Sequence, residues 1–390
     1  MKILFCAANS WVNAAHVGSH SLARALALQG HQVAFVGDPI SPPHALAGLT
    51  SELKARFALW RKQGQWVEQY ANGGAIWACV PAAPLTPHNK YLLRDKWVAG
   101  NWHHLAWPGL ESMLKKAGFS YFDMVYVDSP TQAYWWRNFE YKKLVFRLAD
   151  NPAGFLKHTP AAESALRDVA ARADMLVYTA PALENLAETY NNNCRYLGNG
   201  VDYEFFSRPA PRPGEYNGLS GPVILYVGSM GYWFNYRWVR AAAQALPDSN
   251  FVLIGPAEEV QRYFNGYSNI RLLGSRPFKQ LPAYMQHATV GMIPFDANNF
   301  PKLINNVNPL KLYEYLAAGL PVVAGRWQTL QELASPAHLV DSREEFIASL
   351  QSISAAGKNP ALARQGQCFA AGHSWPEQAA LLLEHLFNNH

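Results

Sequence analysis

Asn308-Pro309-Leu310-Lys311-Leu312-Tyr313-Glu314-Tyr315-Leu316-Ala317-Ala318-Gly319-Leu320-Pro321-Val322-Val323 is the stretch on which the fold turns. Asn308 suits an N-cap and Pro309 the first helical position, where no N–H is needed. Gly319 and Pro321 stop the helix, and the Val pair then opens a buried strand. Lys311 falls in the first turn, at the positive end of the helix dipole, where an ammonium is ordinarily disfavoured. Its presence makes sense if the helix start holds a phosphate, because amides and ammonium then act on one anion. Glu314 lies three residues on, on the same face, and a carboxylate can accept hydrogen bonds from a ribose diol. The plain alternative is a surface helix whose Lys and Glu pair in water.

Working outward, the same strand–helix alternation runs along both halves. The N-terminal half has a strand at 2–8, an amphipathic helix Ser19–Gln29 ending at Gly30, and a strand Gln32–Val36. That spacing predicts a parallel pair joined by a right-handed crossover. Short apolar runs at Met124–Val127, Leu144–Leu148 and Met175–Tyr178 read as further central strands. Three prolines and a glycine crowd Phe205–Gly214, which marks 205–221 as a linker. Beyond it come strands at Val223–Val227, Phe251–Ile254, 269–273, Val290–Pro294 and Pro321–Ala324, with helices near 234–246 and 309–318. The expected fold is α/β: two Rossmann-like, doubly wound domains facing a cleft. Their expected bounds are 1–204 and 222–374, with 375–390 a C-terminal helix crossing back to the N-terminal domain.

With 390 residues the chain suits two domains of about 200 residues each. Apolar residues make up 49% and charged residues 16%, which excludes a disordered or fibrous protein. The charge excess, 33 Lys and Arg against 28 Asp and Glu, falls short of a nucleic-acid binder and fits an anionic substrate. Cys6, Cys79, Cys194 and Cys368 follow no paired spacing, so neither a disulfide framework nor a zinc site is expected. The apolar start, Met1–Ala8, is short for a signal peptide and reads as a first strand. No run approaches the roughly 20 apolar residues of a membrane helix. These features point to a cytoplasmic protein.

Further segments stand in a recognisable order around the opening stretch. They are Leu197–Asp202, Tyr226–Met230, Val252–Pro256, Leu273–Pro277 with Leu281–Tyr284, and Met292–Phe295. Together with 308–323 they resemble the donor-site half of GT-B glycosyltransferases over about 190–325; the N-terminal half is similar only loosely. The resemblance implies a fold of that type, transfer from a UDP-sugar, and no cofactor or metal. It implies that Lys311 holds the diphosphate and Glu314 the ribose, with Asn308 at the helix start. The turn Gly228-Ser229-Met230 would lie against the donor, and backbone near Arg276 would face the base. Many retaining members carry two glutamates eight positions apart, but Asn306 stands eight before Glu314 here. The pattern is closer to bacterial exopolysaccharide and teichuronic-type transferases, the xanthan glucuronosyltransferase among them, and favours inversion.

Inversion needs one general base to deprotonate the acceptor hydroxyl. Two carboxylates each follow an apolar strand in the N-terminal half: Asp128 before Ser129-Pro130, and Asp150 before Asn151-Pro152. Either could instead cap the following turn. Phe146–Asp150 resembles the base-bearing segment of the xanthan enzyme, which makes Asp150 the choice and Asp128 the alternative. His16 is a further candidate on the acceptor side.

The stretch 54–116 interleaves nine Lys and Arg, Lys90 among them, with Trp60, Trp66, Trp77, Trp97, Trp102 and Trp107, against only three acids. That mixture suits an anionic membrane surface, although tryptophans in the core would give the same string. The expectation is a hexosyltransferase of cell-surface glycan synthesis, peripheral at the inner membrane face, with a lipid-linked or polysaccharide acceptor. The rivals are a nucleotide-sugar epimerase of the same fold and a non-catalytic sugar-nucleotide binding protein.

Overall fold

The computed structural model describes residues 1–13, 16–42, 44, 48, 50–87, 93–156, 158–257 and 260–387. Lys90 lies outside them. The chain divides into two units, Met1–Gly198 with Trp375–His390, and Asn199–Ser374.

In the first unit an eight-stranded sheet has the order β3-β4-β2-β1-β5-β6-β7-β8. The strands are β1 (Lys2–Ala7), β2 (Gln32–Gly37), β3 (Gln65–Gln69), β4 (Ala75–Cys79), β5 (Tyr121–Val127), β6 (Glu140–Leu148), β7 (Met175–Tyr178) and β8 (Cys194–Tyr196). Only β3, on the edge, runs antiparallel to its neighbour β4; every other pairing is parallel. Helices on a parallel sheet bury both of its faces, so the central strands are apolar throughout. Ile3, Leu4, Phe5, Val33, Phe35, Val125 and Tyr126 are fully buried. Each such large side chain contributes about 1.5–3 kcal/mol relative to exposure. Gly30 closes the helix Gly18–Leu28 at φ +91°, the left-handed conformation expected of it. The last helix, Trp375–Phe387, packs on that same helix.

In the second unit six strands are ordered β11-β10-β9-β12-β13-β14, all parallel. They are β9 (Val223–Val227), β10 (Asn250–Ile254), β11 (Ile270–Gly274), β12 (Val290–Ile293), β13 (Val322–Gly325) and β14 (His338–Val340). This unit begins at Asn199, so it takes in residues 199–204 of the expected first domain as well as 205–221. Asn199 Nδ2 donates to the Asn308 carbonyl at 2.7 Å, and the Val201 N–H donates to the His373 carbonyl at 2.8 Å. Nor do residues 205–221 behave as a linker. Phe206 and Tyr216 are buried, the Tyr216 hydroxyl donates to the Tyr284 carbonyl, and the Ala210 N–H donates to Gln286. The prolines stiffen a segment that wraps onto the core.

Candidate functional site

Numbered within the second unit, the strand order is three-two-one-four-five-six, so the chain path reverses between β9 and β12. Open α/β sheets bind ligands outside the carboxyl ends of the strands at that reversal. Those ends are Val227-Gly228 and Ile293-Pro294-Phe295, and the helix Leu310–Ala317 sets Lys311 over both. Its Nζ stands 5.2 Å from the Tyr226 ring centre and 4.8 Å from that of Phe295. Ring faces attract a cation without neutralising it. Among the described residues no carboxylate or carbonyl takes a hydrogen bond or ion pair from this ammonium. Burial pushes Lys311 down to about 8, with Glu314 opposing the shift, and pushes Glu314 up to about 7, with Lys311 opposing. Both are half-buried and interact only through space.

The turn beneath is shaped to admit the lysine. Gly228 has φ +139°, and a β-carbon there would lie 3.0 Å from Lys311 Cε; at Gly255, φ +156°, one would lie 2.1 Å from the Gly228 carbonyl oxygen. A side chain would be strained at both positions. The Val227 N–H donates to the Tyr315 hydroxyl at 2.7 Å and the Tyr226 hydroxyl to the Ser229 carbonyl at 2.7 Å, tying the turn to the helix that carries Lys311.

The remaining expected donor residues divide. Ser229 is exposed at the turn. Met230 is 5% exposed and belongs to the core, its carbonyl accepting from Tyr236, so its side chain does not line an open site. Asn308 is not the N-cap. The cap position is Pro309, without a side-chain bond, because the buried Asn308 Oδ1 accepts from the Tyr313 hydroxyl at 3.0 Å and its carbonyl holds Asn199. The Arg276 side chain pairs with Glu215 at 3.1 Å and donates to the Tyr284 hydroxyl and the Leu273 carbonyl. That fixes the loop after β11, two strands from β9, and leaves its backbone as the part able to meet a ligand.

The first unit repeats the reversal, here between β1 and β5. Asp128 ends β5. It accepts from the Ala8 N–H at 2.8 Å and from the Ser19 hydroxyl. Burial raises its pKa, and Arg147, Ser19 and the Ala8 amide pull it back. Arg147, 9% exposed on β6, also reaches Ser19. Asp150 follows β6; burial raises its pKa and the charge of Arg147 lowers it. No hydrogen bond reaches its carboxylate from any described residue. One arginine is therefore set among two carboxyls, Asp128 held by two donors and the charge of Arg147, Asp150 by that charge alone. His16 stacks on His20, rings 5.0 Å apart and 1° from parallel, and burial pushes it down to about 4, so it stays neutral at pH 7. His20 donates through Nε2 to the Ser10 carbonyl and accepts at Nδ1 from the Val17 N–H, and serves the fold.

A third carboxyl, Asp38 after β2, lay outside the sequence-based set. Burial pushes it up to about 7, although Ser129 and Gln132 donate to it. It obeys the same rule that singled out Asp128 and Asp150, an acid directly following an apolar strand.

The tryptophans of 54–116 separate into two groups. Trp77 and Trp102 are core, whereas Trp97 is 59% and Trp107 70% exposed. Arg94 and Lys96 are exposed beside Trp97. Among the described residues no helix is long and apolar enough to cross a membrane. Nor does any cluster of three His, Cys, Asp or Glu among them suit a metal ion.

Residues 221–355 match the model of the family "Glycosyl transferases group 1". Residues 5–179 match that of "Glucuronosyltransferase GumK, N-terminal domain". A Bacillus subtilis protein, TuaH, assigned as a glycosyltransferase of teichuronic acid biosynthesis, is 30% identical over 148 residues, 35% of this chain and 36% of its own length. The UDP-glucuronate:glycolipid 2-beta-glucuronosyltransferase of Xanthomonas campestris is 27% identical over 187 residues, 46% of this chain and 42% of its own. Each alignment thus spans well under half of the relative. Among solved structures, sucrose-phosphate synthase from Thermosynechococcus elongatus superposes with TM-score 0.68 at 17% identity, covering 98% of this chain and 97% of that one. Anabaena HepE, in complex with UDP-glucose, gives 0.64 at 15% identity, covering 98% and 99%. These likenesses establish the GT-B fold.

Proposed function

We propose, for a chain whose two halves match glycosyltransferase domain families on a GT-B fold, that it moves a hexose or hexuronic acid from a UDP-sugar to a lipid-linked or polysaccharide acceptor, with inversion. The observation that carries this reading is Lys311: a half-buried ammonium at the strand-order reversal, over two rings, with no anion bonded to it among the described residues. A diphosphate supplies the missing charge, and the first-turn amides of the helix add their hydrogen bonds. Glu314 takes the ribose diol, Gly228 lets the phosphates approach, and Ser229 and the backbone near Arg276 border the nucleotide. Uridine is supported by the UDP-glucose complex of HepE and by the UDP-glucuronate in the name of the Xanthomonas relative.

Asp150 is the proposed base. Its raised pKa suits proton acceptance, and among the described residues it lacks the two hydrogen-bond donors that hold Asp128. Lys311 stabilises the departing UDP in the way a fixed cation stabilises any developing phosphate charge. Asn306, whose amide donates to the Lys302 carbonyl, offers no second carboxylate for a retaining arrangement.

Exposed Trp97 and Trp107, with Arg94 and Lys96, favour an acceptor held at an anionic membrane. A groove of about 900 Å³ lined by Arg94, Lys96, Trp97 and Pro160 could take part of a lipid. Flotation with anionic vesicles should carry the wild type and leave behind Trp97→Ser with Trp107→Ser.

The donor reading is tested by thermal stabilisation with UDP-glucose, UDP-glucuronate, GDP-mannose and ADP-glucose. A ligand at about 100 times its Kd adds roughly 2.7 kcal/mol. Stabilisation by a UDP-sugar is expected; none with any of the four would remove the proposal's basis.

A further inference from the structure

We propose that Arg147 is a positioning residue for Asp150: the missing side chain of Gly18 seats its guanidinium at the start of the helix Gly18–Leu28, and from there its charge keeps the Asp150 carboxyl ionised. The part that Asp150 plays in transfer rests on the reading above. The seat itself stands on its own packing.

Gly18 is the first residue of that helix and is not among the glycines of positive φ, so its backbone conformation does not call for a glycine. The guanidinium does. A β-carbon at this position would lie 2.6 Å from Arg147 Nη2 and 3.3 Å from its Cζ, with the Trp375 ring 3.2 Å away. The position demands space, and a cation fills it.

That is an unfavourable place for a cation. A helix start carries the positive end of the dipole, and the cap residue Val17 makes no side-chain cap bond. Arg147 is 9% exposed and Trp375 is 7% exposed, so little water screens the charge. Nearby anions offset the cost. The Ser19 hydroxyl donates to Asp128 and accepts from Arg147 Nη1 at 3.4 Å, which ties the guanidinium to the first carboxylate. Asp150 is the second acid, three residues on from Arg147, just past the end of β6. The chain between them is fixed: Thr179 donates from its N–H to the Leu148 carbonyl at 3.2 Å and from Oγ1 to the Ala149 carbonyl at 2.7 Å. Where the guanidinium sits therefore sets its separation from the Asp150 carboxyl.

The effect has a definite sign. A base must be ionised before it can take a proton. Burial raises the Asp150 carboxyl, and Arg147 is the charge that opposes the rise. A guanidinium does not titrate in the working range, and a desolvated charge acts more strongly than one in water. The titratable groups that face Arg147 are Asp150 after β6 and, on β5, Asp128 and Tyr126, whose hydroxyl burial pushes up. The helix Gly18–Leu28 presents Gly18 and Ser19, its His20 being engaged by Ser10 and Val17. The last helix presents Trp375, and the acid of its first turn, Glu377, is exposed. Among these groups only the two aspartates change charge in the acid range.

The test reads the carboxyl and the catalysis separately, on the intact protein. Carbon-13 NMR of the aspartate Cγ follows the titration of Asp150, assigned by its loss in Asp150→Asn. The pH profile of kcat/KM, from UDP release by the UDP-sugar that stabilises the wild type, follows its use. In Arg147→Met the carboxyl should titrate about 1–3 pH units higher, the reach of one nearby opposite charge, and the acid limb of kcat/KM should move up with it. Arg147→Lys, which restores a charge, should bring both back toward the wild type. Gly18→Ala removes no charge and installs a better helix former, yet should shift both in the same direction as Arg147→Met, because the β-carbon displaces the guanidinium. If Gly18→Ala does not fold, the Met and Lys variants carry the comparison. The proposal is overturned if Asp150 titrates as in the wild type in the folded variants, or if they lower only the melting temperature, as a purely structural pair with Asp128 would. A shifted carboxyl with an unmoved acid limb would leave the seat standing and sink the reading of Asp150 as base.

Discussion

At the end of β9 an ammonium waits over two aromatic rings without an anion; at the end of β5 a carboxylate is held by an amide, a hydroxyl and a guanidinium. The two corners occupy equivalent places, each at the reversal of strand order in a parallel sheet. Topology therefore locates a site without choosing its chemistry. The choice lies in which buried charges the fold leaves unanswered. In the second unit the unanswered charge is positive, Lys311, with Glu314 nearby but unbonded. In the first, Asp128 is answered, and the group left wanting is Asp150.

The sharpest way to break this contrast is to neutralise the base. Asp150→Asn should lower turnover by about 10²–10⁴-fold while leaving UDP binding intact, read by product formation and by titration calorimetry. The equivalent change at Asp128 should instead lower the melting temperature, since it removes the charge that the Ala8 amide, Ser19 and Arg147 answer. An epimerase would convert the donor with no acceptor present, and a non-catalytic binder would show no turnover to lose.

A smaller effect is expected at the turn beneath Lys311. Gly228→Ala forces a strained φ and a contact at 3.0 Å, and should cost about 1–3 kcal/mol in denaturant unfolding. Loss of UDP affinity beyond that of a remote variant of equal stability would show that Lys311 had been displaced.

The smallest expected effect is in pH dependence. Burial holds Glu314 protonated up to about 7, so from about pH 4.5 to 7 the folded state keeps a proton that the unfolded chain releases, and stability falls as pH rises. Lys311, lowered to about 8, acts oppositely between about 8 and 10.5: the unfolded chain keeps the proton, and stability rises with pH. Melting temperatures of the wild type and Glu314→Gln should diverge across the first window, the variant gaining on the order of 1–2 kcal/mol by neutral pH. Parallel curves would mean that Glu314 is solvated and unavailable as a poised ribose ligand.

Much of this was legible in the sequence. Buried strands such as Val223–Val227 and Met175–Tyr178 are continuous apolar runs cut off by turns, and their ends match the structure. Lys311 and Glu314 announced themselves by an unfavourable charge in a first turn. What escaped depends on contacts distant in the chain. Asn308 fits a cap by residue type, but Tyr313 and Asn199 claim its side chain and carbonyl. Prolines near 210 suggest a linker, yet Tyr216 finds a core to enter. The edge strand β3, Gln65–Gln69, is mostly polar and half-exposed, so no apolar run marks it. The tryptophans of 54–116 look alike in sequence, and only packing separates Trp102 from Trp107.

The most direct test of the central claim is calorimetric titration of UDP into the wild type and Lys311→Met, with a melt of each unliganded protein. Methionine keeps the length of the side chain and removes the desolvated charge. The account predicts that the variant melts no lower than the wild type, or higher, and binds UDP about 10–100-fold more weakly, the loss of a charge-assisted contact. Equal UDP affinity in the two proteins would contradict it.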